Sequence, residues 1–252
     1  MKTRSLPIAW SILSLLAFSG AEAAAAAIYP VRALTEPVAD VVLSARVPGQ
    51  VSKIHHGEGD FVKSGTVLLE FEQTTELLEV QRKQVQLETL QGELDRSELL
   101  FKTSSSMPRE ELDRKRGEVA VARVELDQAR EMVMHRQVIA PFDGTITLLP
   151  VKVGEYCDVA RPVLRLVDNR EFHAVSNADP ARAGHVRVGE ELMIEMSAPG
   201  GPVTLNGTVV FVSPVVDPAS GLMRLKVKFK NSDGRVRPGV AGMLQIPAPD
   251  AP

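Results

Sequence analysis

The 252-residue sequence has one cysteine, Cys157, and aromatic residues make up only 4% of it. A lone cysteine cannot close an intramolecular disulfide, so core burial must carry stability. A reactive thiol needs a histidine or cationic neighbour; Cys157 lies in an alternating stretch that suits a small buried hydrophobe. An excess of positive charge is also missing. Lys and Arg number 29 against 32 Asp and Glu, a formal net charge of -3, which provides no basic field for nucleic acid. The apolar stretch Ile8–Phe18 falls short of the ~20 residues a spanning helix needs. It follows Lys2 and Arg4 and precedes Ala21-Glu22-Ala23, so residues 1–23 read as a cleaved export signal. No cysteine lies near that site, which excludes a lipid-modified terminus.

Catalytic and metal-binding patterns are missing too. No nucleophile–base set, phosphate loop or pair of catalytic carboxylates emerges, so the chain reads as a non-enzyme without a cofactor. None of His55, His56, His135, His173 and His185 forms an i, i+4 pair, and adjacent His55 and His56 point to opposite faces of an extended segment. No metal ligands are therefore assigned. Met132, Met134 and His135 form a thioether–imidazole set that suits a soft metal such as Cu(I), with helix-end packing as the plainer explanation.

What is present is a split repeat. Residues 48–72, "PGQVSKIHHGEGDFVKSGTVLLEFE", align with residues 143–168, "DGTITLLPVKVGEYCDVARPVLRLVD". Gly49 pairs with Gly144, Val51 with Ile146, Ile54 with Leu149, Gly59 with Gly154, and Phe61 with Tyr156. After one inserted residue Val67-Leu68 pairs with Val163-Leu164. Each half reads as short strands punctuated at Gly49, Gly59, Gly144 and Gly154, where turns need positive φ. Neither half can bury a core alone, and two facing copies can close a small β-sandwich.

The segment between the halves is helical. Residues 73–136 contain one proline and two glycines amid Leu, Glu, Gln, Arg, Lys and Ala, a helix-forming mixture. Val80, Leu87, Leu94 and Phe101 recur every seven residues, as do Leu112, Val119, Leu126 and Val133, with Ala122 and Ala129 at complementary positions. That spacing predicts a coiled-coil seam. The break "KTSSSMPREELD" places Pro108 at a helix start, so two helices of about 29 residues form an antiparallel hairpin roughly 43 Å long. From Glu171 the sequence becomes strand-like with Gly, Pro and Asn-Asp turns, which predicts a small barrel.

The two halves resemble a biotinyl/lipoyl domain split by a helical hairpin, and "VIAPFDGTI" (residues 138–146) is similar to the stretch by which periplasmic adaptors return to that domain. The chain thus resembles membrane fusion proteins of the HlyD and RND-associated type. Residues 213–246, with the Asp-Gly-x-x-Arg-Pro-Gly turn at Asp233–Gly239, are similar to that family's barrel segment. A true carrier domain needs a lysine on the turn between its halves, and none lies between Lys63 and Lys83.

The resemblance implies a mainly β fold with a coiled-coil hairpin. Its parts are a split lipoyl-like sandwich (46–72 and 139–168), the hairpin (73–138), and a barrel (28–45 and 169–248), with about Val38–Ala45 as a barrel strand. It implies a periplasmic homo-oligomer that meets the membrane through its partners, an inner-membrane transporter of RND type and a TolC-like outer-membrane channel. The family's tip pattern is Arg, Leu four residues on, and Ser after seven more. Arg96 and Leu100 match, the third place is Met107, and Ser106 is one short. Family members carry a membrane-proximal domain after the barrel, whereas this sequence stops six residues after Ile246. Pump contact through the barrel alone, another transporter class, or another subunit would each accommodate that. Two alternative functions are an envelope scaffold that binds through its hairpin and a metal-handling adaptor.

Overall fold

The computed structural model describes residues 28–104 and 108–248. The export signal, Ser106 and Met107 lie outside the described residues. In chain order the elements begin with β1 (Ile28–Pro37), β2 (Asp40–Ser44), β3 (Gly49–Ile54), β4 (Phe61–Val62) and β5 (Val67–Phe71). Helices α1 (Thr74–Ser104) and α2 (Arg109–His135) follow, then β6 (Gln137–Ile139), β7 (Gly144–Leu148), β8 (Tyr156–Cys157) and β9 (Pro162–Val167). The last part comprises β10 (Glu171–Ala178), α3 (Pro180–Ala183), β11 (Glu191–Ala198), β12 (Gly201–Val216), β13 (Met223–Lys230) and β14 (Ala241–Pro247).

The repeat builds two sheets, ordered β2-β9-β7-β4 and β6-β5-β3-β8. Exchanging each strand for its repeat partner (β2 with β6, β3 with β7, β4 with β8, β5 with β9) turns one sheet into the other. Each half therefore supplies two strands to each sheet, and neither forms a sheet alone. Repeat-equivalent side chains fill the core: Val51 and Ile146, Leu68 and Leu164, Val62 and Cys157, all at most 2% exposed. Cys157 occupies the place of a valine, and burial raises its thiol pKa, which keeps it protonated.

The glycine–acid–aromatic motif has a physical role in both halves. Gly59 and Gly154 adopt φ of 93° and 87°. The Gly59 N–H donates to the Ile146 carbonyl and the Gly154 N–H to the Val51 carbonyl, each at 2.8 Å. Each turn is thus tied to the opposite half. The acid that follows closes its own turn: Asp60 accepts from the Gly57 N–H, and Glu155 from the Lys152 N–H. The aromatics Phe61 and Tyr156 face outward, 56% and 60% exposed. Gly49 and Gly144 are not turn residues. They open strands, where a Cβ would lie 2.8 Å from Arg136 Nη1 and from the Val167 carbonyl oxygen respectively.

The symmetry extends to a strained residue. Ala160 has φ 64°, and Gly65, its repeat partner, has φ 83°. A left-handed alanine costs roughly 1–2 kcal/mol, and glycine's added unfolded-state entropy costs about 0.5–1 kcal/mol. Ala160→Gly should therefore stabilise the protein by up to about 1 kcal/mol, read as a higher urea midpoint.

The helices pack as an antiparallel pair. Leu94, Leu112, Val119, Ala122, Leu126 and Ala129 are buried along the seam, and Leu87, Leu90 and Phe101 pack against it. Lys83–Glu125 (2.6 Å), Lys115–Glu93 (3.2 Å) and Arg116–Glu98 (2.8 Å) bridge the helices along its flanks.

Six antiparallel strands close the barrel in the order β1-β10-β13-β12-β11-β14. Phe172 and Phe229, Ile194, Met196, Leu225 and Leu244 fill its interior, all at most 2% exposed. The expectation that Val38–Ala45 joins the barrel is not met. The barrel takes β1 instead, and β2 pairs with β9 in the sandwich, Asp40 opposite Val167 and Leu43 opposite Leu164. The chain crosses between the two bodies at Val38–Ala39, where the Val38 N–H donates to the Glu171 carbonyl and the Ala39 carbonyl accepts from the Asp168 N–H. Arg165, in bidentate contact with Asp40, holds β2 on the sandwich.

His173, on the barrel's outer wall, has its pKa lowered, first by burial and then by Lys226 and Lys228. A depressed folded-state pKa contributes stability above the unfolded value, and that contribution is lost as pH falls toward the folded one. Barrel stability should therefore decline on acidification below about 6.5, the ordinary histidine value. His173→Gln should flatten that part of the stability–pH profile.

Candidate docking site on the hairpin

Helix α1 carries Arg96 and Leu100 one turn apart near its far end, so the two share a face. Both are exposed, Leu100 at 51%. Leu100 is not a seam residue; its neighbour Phe101 turns inward. Leu99, which sequence reasoning passed over, is 61% exposed beside them. Arg96, Leu99 and Leu100 together form a patch with one cation and two apolar side chains. The signal for Leu99 was available: Leu94 and Phe101 fix the seam, which leaves positions 99 and 100 out of phase with it. Among the described residues Arg96 enters no salt bridge, whereas nearby Glu98 is engaged by Arg116.

The other end of the hairpin is fastened to the sandwich. Arg136, just past α2, donates through Nε to Glu76 in the first turn of α1 (2.8 Å). Its Nη1 donates to the Pro48 carbonyl ahead of β3 (2.7 Å). Gly49 leaves the space that this guanidinium occupies. The backbone continues the junction, with the Phe71 N–H donating to the Arg136 carbonyl (2.8 Å). One side chain thus ties both helices and the sandwich together.

The thioether–imidazole set at the end of α2 is spread out: Met132 and Met134, two residues apart, are 55% and 47% exposed. His55 contacts Glu70 at 2.8 Å, and His56 lies 3.9 Å from Asp60. Among the described residues no group of three His, Cys, Asp or Glu side chains is placed to hold a metal ion. No helix among them is long and apolar enough to cross a membrane.

The chain matches two family models. Residues 39–169 match the RND MFP barrel-sandwich hybrid domain, and residues 176–249 the CusB-like beta-barrel domain. Among curated relatives, an uncharacterized protein of Haemophilus influenzae is 24% identical over 217 residues, covering 86% of this chain and 56% of that protein. Multidrug resistance protein MdtA of Pectobacterium carotovorum is 27% identical over 233 residues, covering 79% of this chain and 53% of MdtA. The chain therefore spans a little over half the length of these relatives. Among solved structures, a MacA-MexA chimeric protein containing the Pseudomonas aeruginosa MexA alpha-hairpin domain superposes with a TM-score of 0.77 at 17% identity, covering 90% of this chain and 82% of that one. The first family match alone spans just over half of the sequence. The chain belongs to the membrane fusion proteins, the adaptors of RND-type efflux systems.

Proposed function

We propose that the protein is a periplasmic adaptor subunit that links an inner-membrane transporter of RND type to a TolC-like outer-membrane channel and works in several copies. Its role is architectural, with no catalytic step. The observation that carries this reading is the hairpin. It is inserted between the adjacent strands β5 and β6, buries only its seam, and presents Arg96, Leu99 and Leu100 at its far end. A charged two-helix arm with one narrow seam contributes little to core burial, and it suits holding a contact surface away from a body. The structural likeness to the chimera bearing the MexA hairpin is consistent with that use.

Apolar anchors beside a cation are the residue types that dominate interface energetics, and losing one typically costs about 2 kcal/mol or more of binding. Leu100→Asp and Arg96→Glu should therefore each weaken channel binding at least about thirtyfold. As surface changes they should alter fold stability by no more than about 0.5 kcal/mol. Binding to the purified channel and thermal melting, measured on the same variants, test this. Unchanged binding in both variants would exclude this face and favour a scaffold that does not serve export.

A further inference from the structure

The end of the β12–β13 hairpin leaves the curvature of the barrel. Val212 is paired with Leu225 and Val216 with Met223, so β12 takes four steps where β13 takes two. An excess of residues on one strand bends it. Ser213 fixes the bend: its hydroxyl accepts from the Val215 N–H at 3.2 Å and donates to the Val215 carbonyl at 2.7 Å. Beyond the bend the turn is tied to itself. The Asp217 N–H donates to the Leu222 carbonyl, the Gly221 N–H to the Asp217 carbonyl, and the Ala219 N–H to Asp217 Oδ1.

The bent end leans over the outer wall. Asp217 and Leu222 lie past the last β10–β13 rung, Ala178 opposite Met223. They nevertheless line one cleft of about 540 Å³ with Leu34 of β1 and Val175 of β10, which face each other higher on the wall. That volume falls in the range of small-molecule sites, ~300–1,000 Å³. The cleft is amphipathic. Leu34, Val175, Val215 and Leu222 supply apolar surface, with Leu34 and Val215 46% and 67% exposed. Its charged groups are Glu36, Asp217 and Arg224. Glu36 is matched, with Arg224 at 3.5 Å and Lys226 at 3.9 Å. Asp217 is not: its Oδ1 caps the turn, and among the described residues no cation pairs with it. An apolar surface thus adjoins one unanswered carboxylate.

We propose that this cleft is a binding site for cationic amphiphiles, small molecules with an apolar body and an amine or quaternary ammonium head. The body lies on Leu34, Val175, Val215 and Leu222, and the head meets Asp217. Two acids and one base line the cleft, so its charge favours a cationic head over an anionic one. The bulge and the turn's own hydrogen bonds hold the wall in place before a ligand arrives, which lowers the cost of ordering on binding. The inference goes beyond the adaptor reading and does not rest on it, because the cleft belongs to the barrel and the channel contact to the hairpin.

Titration calorimetry on the full chain tests it, with decyltrimethylammonium below its micelle concentration as the probe. Saturable binding of one equivalent is expected, weaker as salt rises because an exposed ion pair is screened. Asp217→Asn keeps the oxygen that caps the turn and removes the charge, and should weaken binding about three- to fivefold, the contribution of an exposed ion pair. Asp217→Lys should weaken it at least about tenfold. Leu34→Ser, which removes apolar floor without touching the charge, should cost at least about fivefold. Decyl sulfate, titrated separately, should show the reverse order and bind the Asp217→Lys variant more tightly than the parent. That reversal separates recognition of the head from damage to the cleft, and thermal melting of each variant should match the parent. Absence of saturable binding overturns the proposal, as does undiminished binding by Asp217→Lys or Leu34→Ser. The same order of affinities for both probes overturns it too. Channel binding by the hairpin is scored separately, so a failed cleft with intact channel binding leaves the adaptor reading standing.

Discussion

Replacing residues 72–135 with Asn-Gly should yield a folded β protein that has lost all channel binding. Strands β5 and β6 are antiparallel neighbours with Glu70 opposite Gln137, and the Phe71 N–H already donates to the Arg136 carbonyl. The gap is that of a tight two-residue hairpin, for which Asn-Gly supplies the required turn geometry. The sandwich core of Val51, Leu68, Phe71, Ile146 and Leu166 includes no residue of either helix. Circular dichroism should lose its helical signal while calorimetry retains a cooperative transition. Global unfolding would show that the helices are part of the core. Retained channel binding would show that the tip is not the contact.

Gly242→Val should destabilise the barrel selectively. Gly242 faces Met196 across the β11–β14 pairing and Ala33 across the β1–β14 pairing, where the cylinder closes. A Cβ there would overlap the Met196 Sδ and the Glu195 carbonyl oxygen, well inside van der Waals contact, and would lie 3.1 Å from the Met196 Cα. The thioether can swing aside, but the carbonyl cannot move without opening the ladder. Overpacking of this kind costs about 3 kcal/mol, at the upper end of its usual range, and at about 4–8 °C per kcal/mol for a body of this size the barrel's melting temperature should fall by about 12–24 °C. Barrel and sandwich have separate cores, so the sandwich transition should persist. Gly117→Ala in α2 is the contrasting control. Nothing lies within 4 Å of a Cβ at that position, and alanine should stabilise the helix by about 1 kcal/mol. A barrel transition unmoved by Gly242→Val would show that the closure tolerates a side chain there.

Much of this architecture was legible because the repeat has local causes. A glycine with positive φ, an acid that closes its own turn and a strand after it leave the same trace at Gly59–Phe61 and Gly154–Tyr156. The seven-residue spacing of Leu112, Val119 and Leu126 reports the seam in the same way. The exchange of strands between sheets was not legible, because alternation shows that a strand has a buried face without saying which half supplies its neighbour. Residues 38–45 show this limit. Val41 and Val42 are both exposed, at 39% and 52%, so no alternation marks where the barrel strand ends and the sandwich strand begins. At the tip, the Arg96–Leu100 spacing was visible, while the outward turn of Leu99 and Leu100 depended on the phase of the seam. Gly49 and Gly144 resembled turn glycines, but their lack of a side chain serves close approach within the sheet.

The single guanidinium at the foot of the hairpin has a consequence in mechanics. Helix α1, with 31 residues, is about 46 Å long, and paired helices stand about 8–10 Å apart. An arm of those proportions amplifies displacement: a shift of about 1 Å of one helix against the other at the foot sweeps the far end by about 5 Å. Arg136, gripping Glu76 and Pro48 at that foot, lies at the fulcrum of a lever. The aim of Arg96 and Leu100 is thus set by a side chain an arm's length away, and loosening that grip blurs their position without touching either residue.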